Sequence, residues 1–301
     1  MAQSPLRRVR RAAAQALLPR LTGWAVRGGP ERIRNTGNRL GRLHYVLTRP
    51  AQTGLIRDIA HALELPRRRA ADALIQAYRG NDRGVFEILC MADPTCDIDG
   101  LLAHLQIHQL ERLEADAAAA GGLLLGMHMG NGILMASALA RRGLPVHVVF
   151  RDPRRLPPGL LGRAIEHGGA TPIALDRANP TRSFRQMLKV LRDGGLIYVL
   201  MDQANKGEGS PRSFLGKRLN MPNGVPGLAV RTGAPVWPVL AEAAWPDWIF
   251  RVHPPLVAET ADALLDGICA TMEHAIRSHP DLWAWHHRRW KRYPFITEPS
   301  V

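Results

Sequence analysis

A histidine in the turn between a buried strand and a helix is placed for proton transfer, and Met127-His128-Met129-Gly130-Asn131-Gly132-Ile133 has that form. A helix N-terminus disfavours an imidazolium, which keeps the ring neutral and able to act as a base. Its first N–H groups lack intrahelical carbonyls and can face a developing oxyanion. Gly130 and Gly132 would let a substrate approach the backbone, with Asn131 between them. The competing reading is a structural histidine held by a carbonyl. A second pair, His147 and Asp152, is five residues apart in sequence. Within a strand that separation puts the two side chains on opposite faces, so His147 reads as a strand histidine and not as a base.

The elements that must position these groups follow from hydrophobic pattern. From residue 121 onward short apolar runs alternate with helical stretches. Strands are predicted at Leu123–Met127, Val146–Phe150, Thr171–Ala174, Leu196–Met201, Val236–Leu240 and Ile249–Val252. Helices are predicted near 132–141, 158–168, 180–193, 222–232 and 260–278. This alternation predicts an α/β fold with a mainly parallel central sheet flanked by helices. Residues 55–120 read as a mostly helical N-terminal region, including 67–78 and 101–120. The span 117–140 contains no Asp, Glu, Lys or Arg, but His128, Asn131 and its glycines break it into turn, strand, loop and helix, so it reads as core and not as a membrane span.

The chain has 301 residues, 46% of them hydrophobic, which excludes intrinsic disorder. Three cysteines, Cys90, Cys96 and Cys269, exclude a disulfide-built fold and offer no thiolate metal cluster; no metal or cofactor is expected. Net charge is +14, and residues 1–60 hold twelve Arg against Glu31 and Asp58 alone. The expected organisation is therefore a basic, membrane-proximal arm over 1–60 and a single α/β domain over 61–301. Ala13, Ala16, Leu17, Leu21, Trp24 and Ala25 can share one helical face, interrupted by Pro19. That face suits an anionic membrane surface as well as it suits a solvated basic helix. Nucleic acid is the partner that charge alone would suggest, and no recognised nucleic-acid motif accompanies it.

Several blocks together resemble one family. The segment around His128 resembles the first block of the lysophospholipid acyltransferase superfamily, and specifically of the bacterial lipid A late (lauroyl/myristoyl) acyltransferases. Phe150-Arg151, Leu200-Met201-Asp202-Gln203 after Leu191 and Gly194, Ser213-Phe214-Leu215-Gly216, and Arg231 to Pro238 resemble later blocks in the same order. Leu282 to Pro294, with Trp285-His286-His287-Arg288-Arg289-Trp290-Lys291 at its centre, is similar to the family's C-terminal signature. The resemblance covers roughly residues 40–294. It implies a glycerol-3-phosphate acyltransferase-like layered fold and transfer of an acyl group from acyl carrier protein or acyl-CoA to a hydroxyl or amine of a lipid acceptor. It implies His128 as the base.

The chain departs from the family pattern at one decisive place. The family sets an acid five positions after the histidine and an aromatic residue just before that acid; here these are Ile133 and Gly132. Asp202 is the expected substitute, because it ends a strand, and parallel strands gather active-site loops at one edge. The family's mannoside-acylating members place an acidic residue in this region too. Glu166 and Glu208 are weaker alternatives. Arg151, Arg288 and Arg289 are expected, with Gly130 and Asn131, to contact substrate. If no acid reaches His128, the alternative is a degenerate member that binds lipid or acyl carrier without chemistry. The lipid A enzymes' N-terminal membrane span is not seen, which weakens the case for lipid A itself as the acceptor and leaves another lipid fitting at least as well. Peripheral attachment at the cytoplasmic face of a bacterial inner membrane is expected instead.

Overall fold

Leu123, Leu124 and Leu125 are buried completely, and the strand that carries them, β2 (Gly122–Gly126), lies at the centre of a seven-stranded sheet. A strand apolar on both faces needs cover on both, and helices supply it. The structure is a computed structural model that describes residues 17–151, 157–176, 179–204, 209–286 and 288–296. β2 is flanked by β5 (Leu196–Leu200) and β8 (Val236–Ala243), both parallel to it. β3 (Val146–Phe150) and β4 (Thr171–Ala174) extend the parallel set beyond β5. On the other side β9 (Trp248–Val252) runs antiparallel to β8, and β1 (Leu105–His108) closes that edge parallel to β9. The sheet order is β1-β9-β8-β2-β5-β3-β4. The α/β class and the mainly parallel sheet are as the sequence predicts.

One feature differs from the sequence reading and another adds to it. Residues 101–120 are not continuous helix: β1 sits between Ile98–Leu102, a helix of one turn, and α5 (Leu110–Ala120). A four-residue strand among helix formers carries too short a pattern to be read locally, and its pairing with β9 decides it. Ser213-Phe214-Leu215-Gly216 belongs to a hairpin, β6 (Ser210–Phe214) and β7 (Lys217–Met221). Leu215 and Gly216 make its two-residue turn with φ of 49° and 73°.

The helices that matter for the site have identifiable starts. α6 (Gly132–Arg141) is capped by the Asn131 side chain, which accepts from the Leu134 N–H at 3.0 Å. The long α3 (Arg67–Met91) begins after Pro66 and runs past β2's end, where Gly84 comes against Gly130 and Asn131. α1 (Gly29–Leu47) packs along α3, and a Cβ at Gly37 or Gly41 would run into the α3 backbone. Residues 17–27 are helical as well; of the face expected there, Ala25 is buried while Leu17 and Trp24 are exposed. Ala13 and Ala16 lie outside the described residues.

Candidate active site

Parallel pairing of β2 and β5 aligns Gly126 with Leu200. Both chains continue past the sheet by the same two residues, and His128 and Asp202 therefore arrive side by side. The His128 Nδ1–H donates to Asp202 Oδ1 at 2.7 Å, and the His128 backbone N–H donates to Oδ2 at 3.0 Å. The two residues stand 74 apart in sequence. Their side chains differ sharply in access: 27% of the imidazole is exposed, against 1% of the carboxylate. The acid is sealed behind the ring, and the ring meets solvent.

The C-terminal segment completes the arrangement. The Trp283 indole N–H donates to Asp202 Oδ2 at 2.7 Å. Met129 and Trp283 form an antiparallel bridge, and the Ala284 N–H donates to the His128 carbonyl at 3.0 Å. Trp283, Trp285 and Trp290 are all buried and meet edge to face, so this tryptophan cluster docks into the core. Burial by itself pushes the Asp202 carboxyl up. The charge of His128 and the hydrogen bonds from its ring, from Trp283 and from the His128 backbone outweigh that and hold it at about 2. Asp202 is thus a carboxylate fixed by three donors.

Below the loop lies a second buried carboxylate that the sequence did not single out. Glu87, on α3, is fully buried and accepts from Arg83 Nε at 2.7 Å, from Asn131 Nδ2 at 2.9 Å and from Trp248 Nε1 at 2.8 Å. Asn131, expected at the substrate, is itself completely buried. Its oxygen caps α6 and its nitrogen binds Glu87, so its side chain serves the loop. Gly130 lies over the Trp248 ring with φ of 75°.

The space of the missing family residues is also accounted for. A Cβ on Gly126 or Gly132 would collide with the Tyr198 hydroxyl, which is buried from β5. Tyr198 thus fills from β5 the place beside Gly132. Ile133 packs half-buried against the core.

Of the remaining expectations, Arg151 is exposed just after β3, at the same sheet edge as His128. Arg288 and Arg289 open a short helix, Arg288–Lys291, and their side chains lie outside the described ones. Glu166 is an exposed residue near the end of the helix Leu160–His167, and Glu208 and Asp152 lie outside the described residues. The His147 ring stands within β3, packed near Gly195, at the opposite end of that strand from Arg151. Among the described residues no group of three or more His, Cys, Asp or Glu side chains is arranged to hold a metal ion. Trp283, Gln203 and Glu87 are the site residues that sequence reasoning missed. Trp283 and Gln203 stood inside the family-like blocks, whereas Glu87 carried no local signal.

The profile of the bacterial lipid A biosynthesis acyltransferase family matches residues 33–292. The chain belongs to that family. Two curated relatives are phosphatidylinositol mannoside acyltransferases from two strains of Mycobacterium tuberculosis. Each is 26% identical over 286 residues, covering 89% of this chain and 86% of the relative. As a member of the lipid A biosynthesis acyltransferase family the protein is an enzyme that transfers acyl groups to a lipid acceptor. In this member the histidine keeps its place in the first block, while the carboxylate against it comes from the end of β5.

Proposed function

We propose that this acyltransferase moves a fatty acyl group from a thioester, on acyl carrier protein or coenzyme A, to a hydroxyl of a sugar- or polyol-bearing lipid, with His128 as general base. The contact of His128 Nδ1 with the buried Asp202 carboxylate carries this reading. A carboxylate on Nδ1 holds the proton there, which leaves the Nε2 lone pair to act as base. Nε2 takes the acceptor hydroxyl's proton as its oxygen attacks the thioester carbonyl carbon. The tetrahedral oxyanion is met by the first-turn N–H groups of α6, at Gly132 and Ile133, for which helix geometry supplies no carbonyl. When the C–S bond breaks, the leaving thiolate takes the proton back from His128. Asp202 stabilises the imidazolium in between. The mycobacterial relatives, phosphatidylinositol mannoside acyltransferases, support a glycosylated lipid as acceptor.

The binding-only alternative rested on Ile133, and a carboxylate supplied from β5 removes its motive. Among the described residues no helix is long and apolar enough to cross a membrane. Peripheral attachment to an anionic leaflet is supported by α1, whose exposed Leu43, Val46 and Leu47 lie among exposed Arg39, Arg42 and Arg49. The 32–57 stretch contains no Asp or Glu.

The test is acyl transfer from labelled acyl carrier protein and labelled acyl-CoA, run separately, into glycosylated and plain lipid acceptors. Incorporation into the glycosylated acceptor that His128→Ala abolishes is the expected result. Unchanged incorporation by His128→Ala would remove the base from the mechanism.

A further inference from the structure

Gln203 follows Asp202 directly, and the turn that sends the carboxylate to Nδ1 brings the next side chain back over the imidazole. Gln203 Nε2 stands 2.8 Å from His128 Nε2 and 3.2 Å from His128 Nδ1. An atom this near to both ring nitrogens cannot lie out along the in-plane lone pair of either one. It sits over the face of the ring. From that position the amide N–H is directed at the π face of the ring, a contact distinct from the in-plane lone pair of Nε2.

Asp202 grips one corner of the ring at Nδ1, and a hydrogen bond at one corner does not by itself fix the tilt of an imidazole. A half-buried amide seated on one face restrains that tilt from a second direction. Proton transfer needs the base aligned within hydrogen-bond reach of the hydroxyl, and a misalignment of an ångström costs on the order of a hundredfold in rate. We propose that Gln203 is a positioning residue for His128, fixing from above the ring that Asp202 fixes from behind. One strand end, β5, then supplies both restraints. This inference rests on the reading of His128 as the base.

The experiment uses the full chain as wild type, Gln203→Leu, Gln203→Asn and His128→Ala. Steady-state kcat and KM for both substrates are measured, together with long-range nitrogen–proton spectra of the histidine rings. The His128 signals are identified by their loss in His128→Ala. In wild type the His128 ring is expected as one sharp species protonated on Nδ1. In Gln203→Leu it is expected to broaden or to populate the Nε2–H form, and kcat to fall about tenfold to a hundredfold with both KM values within about twofold. Gln203→Asn, one methylene too short to reach over the ring, is expected to behave as the leucine variant does. An unchanged His128 spectrum in Gln203→Leu overturns the proposal, and so does a loss confined to KM. Should His128→Ala remain active, it is the base assignment that falls, and the ring spectra still decide whether Gln203 orders His128.

Discussion

Replacing Asp202 by asparagine keeps the shape of the side chain and changes what it can accept. The carboxylate takes three hydrogen bonds, from the His128 ring at 2.7 Å, the Trp283 indole at 2.7 Å and the His128 backbone at 3.0 Å. A carboxamide offers one oxygen and one NH2 group, so at least one of the three donors faces a donor. The indole and backbone N–H groups cannot change. The imidazole can, by moving its proton to Nε2 so that Nδ1 accepts from the amide. That tautomer has no lone pair at the substrate edge. A buried aspartate behind a catalytic histidine loses about 10⁴-fold in kcat on this change, or about 5 kcal/mol of barrier. Asp202→Asn is expected to show a loss of that order in single-turnover acyl transfer, with a modest loss of melting temperature. A rate within about tenfold of wild type would refute the tautomer argument and reduce Asp202 to a structural anchor.

The same carboxylate makes a pH prediction. Its folded value of about 2 lies below its ordinary 3.8, so the stability it contributes is complete above about pH 4 and is lost as the pH falls toward 2. The amount is about 2 kcal/mol. Equilibrium unfolding of wild type and Asp202→Asn from pH 6 to pH 2.5 should therefore converge, and parallel curves would count against it.

Further outcomes follow from neighbouring contacts. Gly132→Ala is expected to destabilise by about 1–3 kcal/mol because its Cβ meets the Tyr198 hydroxyl, and Tyr198→Leu in the same chain should recover part of the loss in a denaturant titration. Glu87→Leu leaves the buried Arg83 uncompensated and Asn131 and Trp248 without their acceptor; a loss of about 3 kcal/mol or more is expected, and a variant as stable as wild type would overturn the network. His147→Ala is expected to turn over at the wild-type rate, since the ring belongs to β3 and not to the dyad, whatever its spacing from Asp152.

The pattern of residues 121–252 was enough to read an α/β chain, to place His128 in a strand-to-helix turn and to put Asp202 at the end of a strand on the same edge. These are local properties: apolar runs four to six residues long, glycines at turns, and an asparagine before a helix. Other parts of the site were settled only by tertiary pairing. Nothing near residue 128 or residue 202 states that Gly126 aligns with Leu200, and a shift of that register by one residue would send one of the two side chains to the other face. Register between strands 74 residues apart is chosen by packing on both faces of the sheet, which involves the whole chain. The same holds for Tyr198 reaching Gly132 from β5 and for Trp283 reaching Asp202 from the C-terminus. It holds for Asn131 as well, which local sequence placed at the substrate and Glu87 draws into the core. The sequence alone determined which groups could do the chemistry and on which edge; tertiary packing decided which of them meet, because contact between distant segments is a property of the assembled core.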